Sequence, residues 1–458
     1  MKLVMKFGGT SLADAERMRR CARLVQENAG PEGAAAVVSA MDGVTEELWA
    51  LAEAAAVTGP ALVETRLASL RRRHEEAAGC LGGVDRVTQL LAELERLREG
   101  IGAVGELTAR SRDAVLSFGE RLAAALFERA LALEGLAPAT FTGGEAGLVT
   151  DERFGEAEPL FELSLYQMGE RVGRALGEGR TALVTGYIAA TQHGVTTTLG
   201  RGGSDYTATL LGAALGAGEV WIWSDVDGLM SADPRLVPEA RLLEQISFAE
   251  AVEMAQFGAK AMHPRALEPA AERGIPVRMK NTFNPASPGT LISGGEASGT
   301  VARSIHLVQD AGLINVTGAA MIGHAGTAAR VFQTLAERGI NIRMISQSVS
   351  EAGISLAVAG NQLEAARAAL ESALLRTRAA RRVEADREVA IVAVVGSGMR
   401  GVPGVAARMF GAIARRGINV IAIAQGSSEL SVSFVVSRAA GPEAVRALHE
   451  ELVQAPGG

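Results

Sequence analysis

The first eleven residues constrain the fold most. Lys2-Leu3-Val4-Met5-Lys6-Phe7 reads as a short buried strand with a Val-Met core, and it stops at Gly8-Gly9. Ser11 is placed to cap a long helix, because Leu12 to Asn28 carries apolar residues at helical spacing without Pro or Gly. A strand, a glycine pair and a helix start together make an anion-binding corner. Backbone N–H groups point outward there, and glycine lets a phosphate approach the chain closely. Lys6 adds a positive charge at the strand end. The same residues also describe an ordinary strand-to-helix turn with a surface lysine, so the rest of the chain has to decide.

Further strands follow. Ala34 to Ser39 is a second, ending in Ser39-Ala40-Met41-Asp42-Gly43-Val44-Thr45. From Glu46 to about Gly135 the pattern is mainly helical, broken at Gly79 to Gly83. Thr181 to Ile188 reads as a strand, followed by Thr196 to Asp205 and a helix from Tyr206 to about Leu215. Glu219 to Trp223 runs into Ser224-Asp225-Val226-Asp227-Gly228, and Val277 to Lys280 is one more strand. This alternation predicts an α/β fold, a three-layer, mostly parallel sheet with helices on both faces. In such sheets ligands bind at the carboxyl ends of strands. The tails at Lys6 to Gly9, Ser39 to Thr45, Gly186 and Ser224-Asp225 are therefore expected to converge on one crevice.

At 458 residues the chain is too long for one compact domain. Near Pro285 to Gly299 it turns rich in Pro, Gly and Ser, which sets a boundary between a first domain, 1–295, and a second region, 305–458. The second region holds an internal repeat, near 313–375 and 389–458. At a constant offset, Gly318 to Gly326 aligns with Gly396 to Gly404, Gly339-Ile340-Asn341-Ile342 with Gly417-Ile418-Asn419-Val420, and Ile345-Ser346-Gln347 with Ile423-Ala424-Gln425. Each copy reads strand, Gly loop, helix (Thr327 to Arg338; Val405 to Arg416), strand, strand, a small α+β module of the ferredoxin-like kind. Two modules outside the crevice fit a regulatory or pairing role, or a structural extension. The Arg376 to Arg387 run, interspersed with Ala and Glu, reads as a solvated helix or linker.

The formal net charge of −7 argues against nucleic acid as the main partner. No apolar run is long enough for a membrane, and the N-terminus opens on a strand rather than a signal peptide. Cys21 and Cys80 suggest no disulfide framework, and no His/Cys cluster has zinc spacing. A cytoplasmic location, with no membrane partner and no metal bound by protein ligands, is expected.

Phosphoryl transfer suits the residues in the crevice. It needs positive groups and N–H donors around a transferring phosphoryl, and a held nucleophile. Lys6, Gly8-Gly9, Gly202-Gly203 and Lys260 meet that need, whereas neither a Walker loop nor the six-residue glycine signature of protein kinases is present. Arg201 offers a planar fork to a carboxylate. Glu120 and Asp205 could hold an ammonium, so the set fits an amino-acid zwitterion. Ser117-Phe118-Gly119-Glu120 also fits a capping box, with Glu120 serving its own helix start. Lys260 could complement a helix dipole, His263 reads as structural before Pro264, and Asp225 and Asp227 could be turn formers beside Gly228.

With these motifs in order, the chain closely resembles the aspartate kinases. The family's signatures are matched at Lys6 to Ser11, Ser117 to Leu122, Thr196 to Asp205, Asp233-Pro234-Arg235, Phe257 to Pro264 and Lys280 to Pro285. The repeats resemble the paired ACT modules of those enzymes, one of which is commonly inserted within the other. The resemblance implies phosphorylation of L-aspartate by ATP, with Mg2+, to 4-phospho-L-aspartate, the entry to lysine, threonine, methionine and often diaminopimelate synthesis. It implies that Lys6 neutralises the transferring phosphoryl, Arg201 binds the α-carboxylate, and Glu120 and Asp205 hold the ammonium. Ser39, Thr45 and Ser204 would lie beside the substrate. Gly8, Gly9, Ser224, Asp225, Met230, Arg235 and Lys260 would line the nucleotide site. Met230 departs from the family's usual Tyr, and Ser224 from its frequent Thr. Asn341, Ile345, Gln347, Asn419, Ile423 and Gln425 are the implied effector residues, for threonine or lysine, in modules that pair chains into dimers. Gln425 to Glu429 looks most like threonine-responsive members, and His324-Ala325 replaces the Val-Pro kept at Val402-Pro403. A fused homoserine dehydrogenase is not expected, because 458 residues leave no room for it. The rivals are another amino-acid kinase, acting on glutamate, acetylglutamate or a nucleotide, and a non-catalytic amino-acid sensor.

Overall fold

A computed structural model describes residues 2–57, 60–258, 262–295, 300–318, 321, 326–349, 352–376 and 378–454. Two compact units emerge. The first comprises Met1–Leu229, Glu244–Phe248 and Met262–Gly295, and the second Met230–Leu243, Ala249–Ala261 and Glu296–Gly458.

Eleven strands belong to the first unit among the described residues: β1 (Leu3–Phe7), β2 (Ala34–Val38), β3 (Pro138–Phe141), β4 (Val149–Thr150), β5 (Thr181–Thr185), β6 (Ile188–Thr191), β7 (Thr196–Thr198), β8 (Glu219–Ser224), β9 (Gln245–Ser247), β10 (Val277–Asn281) and β11 (Thr290–Ser293). Eight of them form one sheet in the order β3-β5-β2-β1-β8-β10-β11-β9. From β3 to β10 every neighbouring pair is parallel, and β11 reverses the direction. Parallel strands covered on both faces must be apolar throughout, and β2 (AAAVV) and β5 (TALVT) are buried at every position. Leu3, Met5 and Phe7 of β1 join one core with helices Ala15–Asn28, Val44–Val57, Val84–Val104 and Phe118–Leu133. The alternate residue Val4 is equally buried on the opposite side of the strand, where helix Gly203–Leu215 lies against β1. A small sheet, β4-β6-β7, stands apart.

Three local expectations need correction. A 3-10 turn, Gly9–Leu12, intervenes before the first helix, and Asp14 caps that helix by accepting from the Arg17 N–H (2.8 Å). Ser11 is not the cap; its Oγ lies 2.7 Å from Thr282 Oγ1, buried. The expected strand Thr181 to Ile188 splits, because Tyr187 takes φ 64° and sends β6 into the second sheet. The Arg376 to Arg387 run is partly strand rather than helix, as pairing with its neighbour extends a long strand back to Arg382.

In the second unit lie β12 (Ser304–Thr317), β13 (Ile342–Gln347), β14 (Gly353–Val358), β15 (Arg382–Val395), β16 (Ala422–Gln425) and β17 (Ser431–Ser437), paired as β13-β14-β12-β15-β17-β16. The two long central strands each serve both modules. Residues 312–317 of β12 pair with β14, whereas residues 304–308 pair only with the half of β15 that bonds β17. Register shifts between Val308 and Leu313 mark the handover. The second module therefore takes its fourth strand from the chain ahead of the first, so the repeats are interleaved. Each has its own core, around Leu335, Leu356 and Leu370 in one and Met409, Phe434 and Leu448 in the other. The His324-Ala325 pair lies outside the described residues.

Candidate active site

Because β5, β2, β1 and β8 are adjacent and parallel, their carboxyl ends open along one edge. Gly186 and Ser39 follow β5 and β2, Lys6 lies near the end of β1 with Gly8-Gly9 just after it, and Ser224 ends β8 with Asp225 next. Close contact between the tails explains the glycines. A Cβ on Gly9 would stand 3.0 Å from the Ala40 carbonyl and 3.2 Å from the Asp42 backbone. Gly202 takes φ +74°, and a Cβ there would stand 2.6 Å from His263 Cβ, so both conformation and space demand glycine.

A hollow of about 300 Å3 at this edge is lined by Lys6, Ser39, Thr45, Glu120, Arg201, Ser204 and Asp205, together with Glu46, Tyr187 and Gly200–Gly203. Lys6 Nζ lies 2.6 Å from Asp205 Oδ1. That carboxylate oxygen has no aligned hydrogen bond, so the contact is a charge contact between two largely buried groups. Arg201 sits on the turn before helix Gly203–Leu215, exposed, and among the described residues it has no ion-pair partner. A second hollow, about 620 Å3, shares Thr45, Tyr187, Gly200 and Arg201 with the first and adds Trp49, Arg112 and Arg153.

Glu120 is buried at the start of helix Phe118–Leu133, where Oε1 accepts the Ala40 N–H (3.1 Å) and Oε2 has no partner. The capping-box reading is wrong. Ser117 makes no cap, its hydroxyl donating instead to the Ala114 carbonyl at 2.7 Å. Burial pushes the Glu120 carboxyl up to about 8, partly offset by the Ala40 N–H. If Glu120 holds the ammonium that the sequence resemblance implies, that cation favours the ionised form, and binding below that pH displaces a proton from Glu120. Aspartate KM is therefore expected to rise as pH falls from about 8, approaching tenfold per unit. Glu120→Gln should raise that KM and flatten its pH dependence. A variant with the wild-type KM and pH profile would remove Glu120 from substrate binding.

Ser224 ends β8, its Oγ accepting from the Val226 N–H at 3.4 Å. Met230 and Arg235 fall in the second unit, where Arg235 pairs with Asp233 at 2.6 Å. Lys260 lies outside the described residues. Asn341, Ile345 and Gln347 on or beside β13, and Asn419, Ile423 and Gln425 on or beside β16, are all exposed and occupy the two outer strands of their sheet.

Two residues escaped the sequence reading. Asp113, fully buried, accepts the Gly155 N–H, the Thr198 N–H and the Thr198 hydroxyl, each at 2.9 Å. It thereby pins the strand end that leads to Arg201. Its position on a helix gave no motif; only a charged residue amid apolar neighbours marked it. Tyr187 lines both hollows in a left-handed conformation, and burial pushes its phenol up to about 12, so it stays protonated.

The chain matches the amino acid kinase family over residues 1–281 and the ACT domain over 314–374 and 392–452. It is 34% identical to aspartokinase 3 of Arabidopsis thaliana, covering 97% of this chain and 80% of that one. It is 35% identical to a bifunctional aspartokinase/homoserine dehydrogenase of Haemophilus influenzae, over 98% of this chain but only 56% of that longer protein. Escherichia coli aspartokinase III, solved with aspartate and ADP, superposes with a TM-score of 0.83 at 30% identity, covering 98% and 99% of the two chains. The same enzyme solved with lysine and aspartate superposes equally well, at 32% identity. The chain belongs to the aspartokinase family of amino acid kinases.

Proposed function

We propose that this chain transfers the γ-phosphoryl of ATP to the side-chain carboxylate of L-aspartate, giving 4-phospho-L-aspartate for lysine, threonine and methionine biosynthesis. The observation that carries this is one hollow lined by a lysine, an arginine and three acids, Glu120 and Asp205 among them, set at the mouth of a parallel sheet. The Arg201 guanidinium takes the α-carboxylate. Glu120 and Asp205 take the ammonium, and Ser39, Thr45 and Ser204 offer hydroxyls beside it. The attacking carboxylate is ionised near neutral pH, so no general base is needed.

Lys6 neutralises charge on the transferring phosphoryl, and Asp205 holds its ammonium in place beforehand. Gly8 and Gly9 present backbone to the phosphates, while Ser224, Asp225, Met230, Arg235 and Lys260 serve the nucleotide. Mg2+ bound with the nucleotide would supply screening of the phosphate charge. Lys6 and the glycine backbone are donors rather than an oxygen cage, which fits an ion carried by phosphate and water.

The domain boundaries follow the same reading, with a catalytic domain over residues 1–295 and a regulatory region over residues 305–458. Asn341, Ile345, Gln347, Asn419, Ile423 and Gln425 bind an effector amino acid, threonine or lysine, and the two outer strands pair chains into a homodimer. Attachment of helix Phe248–Gln256 supports regulation. Within the second unit Glu250 accepts from the N–H and hydroxyl of Ser397, and Glu253 from the hydroxyl of Ser431. In the sequence Lys260 follows this helix by a few residues. A cytoplasmic location completes the proposal; no described helix is long and apolar enough to cross a membrane.

The test is ADP release from the purified chain with ATP, Mg2+ and L-aspartate, alone and with L-threonine or L-lysine. Aspartate-dependent release, suppressed by either, supports both halves. Release with glutamate but not aspartate would replace the substrate, and no release with either would favour a sensor.

A further inference from the structure

Four residues at the end of β10 and just beyond it touch both loops assigned to the nucleotide. Thr282 is fully buried; its N–H donates to the Ser224 carbonyl (2.9 Å), and its hydroxyl meets Ser11 Oγ at 2.7 Å. Asn281 and Asn284 both donate their side-chain amides to one oxygen, Asp227 Oδ1, at 2.9 and 3.0 Å. A carboxylate only accepts, so the orientation of both amides is fixed by chemistry. Between them the Phe283 ring lies 5.2 Å from the Arg17 guanidinium, and Arg17 in turn donates to the Thr10 carbonyl at 2.8 Å. The segment closes on itself through Phe283 N–H to Asn281 Oδ1 (2.9 Å) and Asn284 N–H to the Asn281 carbonyl (3.2 Å).

One short turn therefore grips two loops that are remote in sequence. Through Thr282 and Phe283 it holds the Gly8–Ser11 corner, and through the amide pair it holds the loop after β8. Those loops end adjacent parallel strands, joined at their base by the Gly8 N–H to the Trp223 carbonyl (3.2 Å). Without the grip, Asp227 would keep its charge and lose both donors, and the loop carrying Ser224 and Asp225 would be free to shift.

We propose that Asn281, Thr282 and Asn284 are positioning residues that hold the Ser224–Gly228 loop in register with the Gly8–Ser11 corner, so that a nucleoside triphosphate meets both as one preformed surface. This rests on the reading of Ser224 and Asp225 as nucleotide residues. Each acts through Ser224, Asp227 or Ser11.

The test is steady-state kinetics on the full chain carrying Asn281→Ala with Asn284→Ala, in wild-type and Asp227→Ala backgrounds. In the wild-type background ATP KM should rise about tenfold, with aspartate KM changed less than about twofold. In the Asp227→Ala background the amide substitutions should add nothing further, because their shared partner is gone. A turn that merely stabilises β10 would lower the melting midpoint and leave ATP KM alone, which would overturn the proposal, as would additive effects in the two backgrounds. Thr282→Ser keeps the hydroxyl and should restore the ATP KM lost in Thr282→Val. Asp225→Asn separates the two layers. If it raises aspartate KM and not ATP KM, the nucleotide reading fails and takes the proposal with it. If it raises ATP KM while the amide variants do not, the proposal alone fails.

Discussion

Lys6→Ala is expected to lower kcat about 1000-fold while ADP affinity changes less than about tenfold. Lys6 lies in the central strand β1, flanked by the fully buried Met5 and Phe7 and paired on both sides with β2 and β8. Truncating its side chain leaves that backbone in place, so the loss is of one ammonium and little else. The charge is worth most as phosphoryl oxygens pass between donor and acceptor in a site screened from water. It is worth less in the bound ground state, before charge builds up on the transferring group. The substitution also strips Asp205 of its partner at 2.6 Å. Lys6→Arg addresses this, because it restores the charge without the compact ammonium, and should recover only part of the rate. A Lys6→Ala variant with wild-type kcat would remove Lys6 from the mechanism.

Arg201→Ala should act on the other substrate, raising aspartate KM about 100-fold with ATP KM within about twofold. Arg201 is flanked in the chain by two left-handed glycines, Gly200 (φ 71°) and Gly202 (φ 74°), and lines both hollows. Among the described residues no acid neutralises it, so its charge is available to a ligand carboxylate. A two-pronged contact matches carboxylate geometry, and Arg201→Lys keeps the charge but not the fork, so an intermediate KM is expected. If only ATP KM moved, the carboxylate site would lie elsewhere. Together with the Lys6 variant, the measurement separates a turnover defect from a binding defect on two residues that line the same hollow.

Much of the fold was legible because its signals are local. Continuous apolar runs such as Ala34 to Val38 and Thr181 to Thr185 mark parallel strands buried on both faces, and glycine pairs at their ends mark backbone that must come close to something. From the residues themselves the two modules were legible as a repeat, and their interleaving only through the family resemblance. Their shared strands depend on β12 and β15 pairing across residues far apart in the chain, which no periodicity records. Caps were read less well. The sequence pointed to Ser11 as the cap, whereas Asp14 makes it and Ser11 meets Thr282, more than two hundred residues away in the chain.

Residue types set the chemistry available: Lys6, Arg201, Glu120 and Asp205 suit a phosphoryl group and a zwitterion, each at the end of a recognisable element. Tertiary structure alone decided what each one faces. Glu120 reads equally as a cap or as a ligand until helix Phe118–Leu133 packs beside β2, buries the carboxyl and points one oxygen at the Ala40 N–H. Asp113 has no motif at all until Gly155 and Thr198 converge on it, and Asp227 is an ordinary turn residue until two asparagines arrive from β10 and the turn after it. The physical reason is common to all three. A side chain's type sets which bonds it can make, whereas its burial and partners, which set its protonation and its orientation, are properties of neighbours that only folding supplies.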